Sequence, residues 1–235
     1  MQFAIITYPG LEPITKAEIR EKIGVTGTSK KEIVLFSGKK LEDIAKLTYA
    51  LQSGKYLMTV IQECTFTGKE ELLKQIRGKE IERQIGHKTF AVRCIRAGEH
   101  DFSSQDIERA VGEKIKGSVE LEHPTVTVLV VIVDTYCIMG IDLVGFDMSK
   151  RQYRIFSHGP LKAPVAYALL RFAGYSPRQN LLDPFCGDGL IAIEAAQSAA
   201  QLPIHHFVKE KIAIKNISLF NTVPVEKVFA AEDKK

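Results

Sequence analysis

The chain of 235 residues has four cysteines, Cys64, Cys94, Cys137 and Cys186, and no two of them form a Cys-x-x-Cys pair. That absence argues against both a zinc ribbon and a disulfide framework, and it suits a reduced, intracellular setting. Two adjacent histidines, His205 and His206, lack further ligands at suitable spacing. They read as loop surface, and no metal is expected. Long apolar runs are missing too. The longest, from Val126 to Val133, is far short of the roughly 20 residues that a membrane-crossing helix requires, and its valines suit a buried strand. No basic stretch precedes the strand-like start at Gln2 and Phe3. Neither a secretory signal nor membrane attachment is therefore expected, and a cytoplasmic location is. Internal repeats and low-complexity tracts are absent. Charge of one sign is scarce: 32 Lys and Arg against 28 Asp and Glu leave +4, with a pI near 8.8. This balance permits nucleic-acid binding without demanding it. What is present is 45% hydrophobic residues, enough to bury cores in two or three small domains.

Residues 3–7 read as a strand, 14–23 as an amphipathic helix stopped by Gly24, and 33–37 as a second strand. A helix over 41–51 and a longer strand over 55–66 follow. Strand–helix–strand–helix–strand in so short a span predicts a ferredoxin-like α+β layer over residues 1–61. Residues 62–147 form a second α+β unit. It opens with two short helices, 70–77 and 80–85, parted by Gly78, and a strand over 89–95. Ser103 caps a helix running to 116, with Asp106 at its positive end. Strands over 125–134 and 136–144 are joined by a hairpin at Asp134 and Thr135. A basic linker, Ser149-Lys150-Arg151-Gln152-Tyr153-Arg154, leads past His158, Gly159 and Pro160 to a helix over 164–174.

The stretch 180–196 is where the chain stops being generic. Leu181 and Leu182 end in the carboxylate Asp183, then Pro184, Phe185, Cys186, Gly187, Asp188 and Gly189 make a tight turn before an Ala-rich helix. Strand, glycine turn and helix is the entry to a nucleotide-binding crossover. A side chain at Gly187 or Gly189 would hold the backbone away from a ligand, and the unpaired N–H groups of the helix start point to the same spot. Asp183 suits a ligand with a positive end, such as the amino group of methionine, and would repel a pyrophosphate. It therefore disfavours a nicotinamide-binding oxidoreductase. Cys186 reads as a small packing residue rather than a nucleophile, and Phe185 as packing against a cofactor or filling core. Residues 202–227 lose their pattern and read as an insertion. Residues 228–232 read as a second strand, so 148–235 is expected to be the start of an α/β unit with an incomplete sheet.

Asp183-Pro184-Phe185-Cys186-Gly187-Asp188-Gly189 resembles motif I of S-adenosylmethionine-dependent RNA methyltransferases. It is most similar to the THUMP-containing class, which includes tRNA guanine-N2 methyltransferases and usually reads D-P-x-C-G-S/T-G-T; Asp188 and Leu190 depart from that string. Tyr8-Pro9-Gly10-Leu11-Glu12 resembles an opening of the same class. Phe90-Ala91-Val92-Arg93, Arg96, Gly98, His100, Phe102-Ser103-Ser104 and Val111-Gly112 are similar to a THUMP domain. The linker at 149–154 resembles the class's basic junction.

The resemblance implies a ferredoxin-like domain, a THUMP domain and the N-terminal portion of a Rossmann-like methyltransferase domain. It implies S-adenosylmethionine held by Asp183, Pro184, Phe185, Cys186, Gly187 and Gly189, with Glu232 gripping the ribose and His158 at the pocket or at a hinge. It also implies RNA, in particular the tRNA acceptor end, bound by Lys88, Arg93, Arg96, His100, Ser103, Ser104, Lys150 and Arg151. Cations there would neutralise phosphates, and hydroxyls beside a helix start would hold one directly. The class carries a target-base loop reading Asn/Asp-Pro-Pro-Tyr or similar, and the 235 residues contain no such string. Two functions follow: the N-terminal portion of an enzyme that, when complete, methylates guanine N2, or a non-catalytic RNA-binding protein with a truncated methyltransferase domain.

Overall fold

Strand β1 (Gln2–Ile6) carries Phe3 and Ile5 on one face and Ala4 and Ile6 on the other, and all four are buried. A strand covered on both faces belongs in the middle of a sheet, and the computed structural model, which describes residues 1–151 and 161–234, places it there. Its antiparallel partners are β3 (Ile33–Ser37) and β4 (Tyr56–Thr59), and β2 (Thr28–Lys30) pairs in turn with β3, giving the order β2-β3-β1-β4. Helices α1 (Glu12–Ile23) and α2 (Leu41–Ala50) complete a β-α-β-β-α-β unit, ferredoxin-like as expected. The short strand β2 escaped the sequence reading because its three residues are exposed and polar.

The run 55–66 is two strands, not one. β4 pairs with β1, whereas β5 (Gln62–Thr65) pairs with β8 (Tyr136–Ile141) in a second sheet. A glycine makes the crossing possible: a Cβ on Gly140 would lie 1.7 Å from the carbonyl oxygen of Thr59. The second sheet has the order β5-β8-β7-β6, with β6 (Phe90–Ala97) parallel to β7 (Val126–Val133) and β8 antiparallel to both β7 and β5. Helices α3 (Lys69–Gln75) and α4 (Gly78–Ile85) precede β6, and α5 (Ser104–Gly112) crosses from β6 to β7. Phe3, Ile5 and Leu57 from the first sheet share one buried cluster with Phe90, Val130 and Met139 from the second.

After β8 the described residues contain helices and turns but no strand. Helix α6 (Ala163–Phe172) lays Tyr167 and Ala168 on Leu11 and Ile14, and α7 (Leu190–Ala199) lays Leu190 on Ala163 and Ala166. The strand expected at Leu181 and Leu182 does not form. Two residues with no neighbouring strand cannot satisfy a ladder, and Leu182 is 87% exposed. The strand expected over 228–232 is instead part of helix α8 (Val225–Glu232), whose Val225, Val228 and Phe229 recur at helical spacing.

The supposed insertion is a strap of 3-10 turns, His206–Lys211, Ala213–Asn216 and Ser218–Phe220. Ile214, Ile217, Phe220 and Val223 are buried at a spacing of three, the repeat of a 3-10 turn, which the search for a 3.6-residue period passes over. Backbone bonds fasten it, Ala213 N–H to Val144 O at 2.9 Å and His205 N–H to Tyr49 O at 3.3 Å. His205 is buried, not loop surface: its Nδ1 meets the carbonyl oxygen of Thr48 at 2.7 Å, and its ring stands edge-on to Phe146. His206 Nδ1 lies 2.8 Å from Asp233 Oδ1, an oxygen that also accepts from the Tyr49 hydroxyl at 2.5 Å.

Arg151 is buried rather than presented to solvent, which removes it from any RNA-facing surface. Its Nε and Nη2 donate to the two carboxylate oxygens of Glu194 at 3.0 and 3.1 Å. Nη1 donates to Met148 O at 2.7 Å and Nη2 also to Gln52 O at 2.8 Å. Both side chains are fully buried. The linker residues Gln152, Tyr153 and Arg154, together with His158, lie outside the described residues.

Replacing Arg151 by Met removes the bidentate partner of a buried carboxylate and should cost ~3–5 kcal/mol in urea unfolding. Adding Glu194→Leu should recover the part due to the stranded carboxylate and leave the part due to the unpaired Gln52 and Met148 carbonyls. Acid sensitivity has an assignable source. Burial pushes the His205 imidazole from its ordinary 6.5 down to about 4. The unfolded chain therefore takes the proton first, and stability falls as pH drops through that window. Burial pushes the Asp142 carboxyl from 3.8 up to about 6, so Asp142 opposes the fall between those values. His205→Gln should lessen the loss of stability between pH 7 and pH 5 by about 2 kcal/mol, read from urea midpoints at each pH.

Candidate functional site

The start of α5 is fixed by its own sequence. Ser103 is extended, so its Oγ turns back to accept from Asp106 N–H at 3.1 Å, while Ser103 N–H donates to Asp106 Oδ2 at 2.8 Å. This capping box holds the Asp106 carboxyl below its usual range, the backbone bond from Ser103 leading. Arg96, from β6, donates through Nε to Ser104 Oγ at 3.3 Å and lays its guanidinium 5.4 Å from the ring centre of Phe102. The His100 ring lies 5.0 Å from Phe102 and 6.2 Å from Phe66. His100 Nε2 meets Asp134 O at 2.7 Å. Gly98 permits that approach: its φ is +101°, and a Cβ would lie 2.6 Å from Asp134 Oδ1.

Arg96, His100, Ser103 and Ser104 therefore meet at one end of the second sheet, floored by Phe66 and Phe102. A planar cation, hydroxyls and the N–H groups of a helix start suit a phosphate, and the rings beneath hold the cation in place. Sequence reasoning found the four polar residues but not Phe66, which reaches them from just past the end of β5. The other candidates lie apart. Lys88 Nζ donates to Asn216 O and to Ser218 Oγ, clamping the strap. Arg93 is three residues from Arg96, hence on the other face of β6. It is exposed, donates to Leu121 O at 2.5 Å, and borders a groove of about 460 Å³ with Val92, Gln105 and Arg109. Arg109 is a cation that no local pattern marked. Lys150 is exposed, whereas Arg151 is withdrawn into the Glu194 pair.

The glycine turn sits before α7. Gly187 and Gly189 have φ of +53° and +73°, and a Cβ on either would meet nothing within 4 Å. Gly189 N–H donates to Cys186 O at 2.7 Å, closing the turn, and Gly189 O accepts from Ile193 N–H at 2.9 Å. Asp183 Oδ1 accepts from Phe185 N–H at 3.2 Å, so one oxygen of this carboxylate shapes its own turn. Phe185 is 93% exposed and Cys186 is exposed, so the expected packing of either in the core does not occur. Glu232 does not join this turn. It stands on α8 with Oε1 3.6 Å from Lys46 Nζ, and borders a cavity with Gln197 and Ser198, about 10 Å along α7 from its first turn. The turn itself thus fits an extended ligand approaching the main chain, with one anionic group beside it. Among the described residues, no three His, Cys, Asp or Glu side chains gather as a metal site, and no helix is long and apolar enough to cross a membrane.

Residues 69–142 match the THUMP domain, and residues 151–234 match the RMKL-like methyltransferase domain. The chain is 32% identical over 226 residues to a tRNA (guanine(6)-N2)-methyltransferase of Archaeoglobus fulgidus, covering 89% of this chain and 57% of that one. It is 31% identical over 249 residues to the protein of the same name from Methanocaldococcus jannaschii, covering 97% and 64%. The chain thus spans less than two thirds of the length of these relatives. SMU.472, described as a methyltransferase and crystallised with SAH, shares the fold with a TM-score of 0.76 at 20% identity, over 99% of this chain and 64% of that one.

If Leu182 and Phe185 lack packing partners in the chain as it stands, Leu182→Ser and Phe185→Ser should each change its unfolding free energy by no more than ~0.5 kcal/mol, measured by urea titration. A loss of 2 kcal/mol or more would show that the two side chains are packed after all.

Proposed function

We propose, for a chain that carries a THUMP domain followed by RMKL-like methyltransferase-domain sequence, that it is the RNA-grasping and cofactor-turn portion of a cytoplasmic, S-adenosylmethionine-dependent tRNA guanine-N2 methyltransferase. Residues 1–61 are its ferredoxin-like part, 62–147 its THUMP part and 148–235 its methyltransferase part. The observation that carries the reading is the connection between two ends of the molecule. The cluster of Arg96, His100, Ser103 and Ser104 belongs to the second unit, which shares a core with the first; Arg151 joins Gln52 of that first unit to Glu194 on α7, and α7 begins at the glycine turn. A grip on RNA and a turn for a cofactor are thus mounted on one framework.

In this reading the tRNA acceptor end lies against Arg96 and its neighbours, while Arg93, Lys88 and Lys150 add charge at separate places on the surface. Asp183 would hold the amino end of S-adenosylmethionine, and Gly187 and Gly189 would let its body approach the main chain, with Pro184, Phe185 and Cys186 beside it. The cofactor, when bound, supplies a sulfonium methyl group. The part played by this chain is to position it. The group that accepts the guanine amine and the ring that stacks the base are absent from these 235 residues, which lack an Asn/Asp-Pro-Pro-aromatic string. In this reading they come from outside these residues; the relatives matched are longer than this chain. The open turn and exposed Phe185 support that division, because transfer requires the reacting groups in line and shielded from water.

Charge reversal of Arg93 and Arg96 together should lower tRNA affinity at least tenfold and reduce the slope of log K against log salt by about 1–2, in filter-binding titrations. Lys39→Glu, an exposed cation on the first unit, should leave both nearly unchanged. Equal losses from the two variants would mean that binding follows net charge alone.

A further inference from the structure

Two thiols that serve neither site face each other across the second sheet. Cys64 on β5 and Cys137 on β8 are direct partners in the antiparallel register. Such partners hold their Cα atoms about 4.5–5.5 Å apart and point to the same face of the sheet, within the ~4.4–6.8 Å that a disulfide spans. Both cysteines are free. Their exposures differ usefully. Cys64 is half-buried on the edge strand, where solvent reaches it, while Cys137 is fully buried behind it. Cys94, on β6, pairs with Val130 rather than with either of them, and Cys186 belongs to the exposed glycine turn.

We infer that Cys64 and Cys137 form an oxidation site that takes a hydroperoxide at Cys64 and closes a reversible disulfide between β5 and β8. The electronic division of labour fits the geometry. Interaction with Cys137 lowers the Cys64 thiol below its ordinary range against the effect of burial, while that interaction and burial hold Cys137 well above it. Burial keeps Cys94 protonated, pushed up to about 12. The half-exposed Cys64 is therefore the sulfur that a peroxide reaches first, and the enclosed Cys137 the thiol that resolves.

The Cys64 sulfur attacks one peroxide oxygen; the O–O bond breaks, leaving a sulfenic acid on Cys64, and the departing oxygen takes a proton and leaves as water or an alcohol. The Cys137 sulfur then attacks the Cys64 sulfur. An S–S bond forms, the S–O bond breaks, and the hydroxide leaves as water with the proton from Cys137. Two thiols give up two electrons and two protons, and the peroxide receives them. A small dithiol reverses the bond by exchange. Oxidation would fasten the strand by which the chain enters the second sheet to the middle of that sheet.

The test uses the reduced 235-residue protein, treated with equimolar hydrogen peroxide, blocked with N-ethylmaleimide and digested without reduction for mass spectrometry. The expected result is a joined peptide pair containing Cys64 and Cys137, lighter by two hydrogens, formed before Cys94 reacts and lost on adding dithiothreitol. In Cys137→Ser, dimedone should label Cys64 as the trapped sulfenic acid; the peptide map of the unaltered protein decides the matter should that variant not fold. Full maleimide labelling of Cys64 and Cys137 while Cys186 oxidises would overturn the inference, as would a cross-link from Cys64 to Cys186.

Discussion

The structure depends on how a buried, irregular dipeptide is kept satisfied. Gln52 and Ser53 lie between α2 and β4, with neither a helix nor a ladder to take up their main-chain groups, and both are buried. Side chains do it instead. The carboxylate of Glu18 accepts from both N–H groups, at 2.8 and 2.9 Å. Arg151 donates to Gln52 O, and the Thr7 hydroxyl donates to Ser53 O at 2.8 Å. Each of these groups would cost several kcal/mol if left unpaired in the interior. The same arginine then grips Glu194, so the demand of two peptide units draws α7 and its glycine turn against the first unit. A pair of buried charges adds little net stability, but it fixes which surfaces meet.

The sequence made legible whatever had a local cause. Phe3, Ile5, Ala4 and Ile6 alternate as a buried strand must, Gly24 ends α1 in a left-handed conformation at φ 69°, and Ser103 with Asp106 writes the start of α5. Apart from β2 and the division of 55–66 into β4 and β5, the order of elements in both units followed from such signals. What stayed hidden was decided by partners far along the chain. The break of 55–66 into two strands is enforced by Gly140, and β2 exists because β3 offers an edge to it. Leu181 and Leu182 carry a strand-like sequence and no strand beside them.

Charge was legible as charge, not as address. Arg96 and Arg151 look alike in the sequence, each a cation in a basic stretch, yet one lies over Phe102 near the solvent and the other is enclosed with Glu194. Glu232 reads as the end of an apolar strand until Phe229 and Val225 are seen on one side of a helix. In the methyltransferase part, Leu169, Phe172, Leu181, Leu182, Phe185 and Ile193 are exposed, on α6, on α7 and between them.

The contact of Gly140 with Thr59 reaches further than the turn it allows. Around it, Leu143 N–H donates to Leu57 O at 2.9 Å, and Met58 bridges to Asp142, so main chain of the first unit is knitted to main chain of the second. Shuffling either unit into an unrelated protein would carry away a torn seam, with a glycine notch and unsatisfied amides on the cut side.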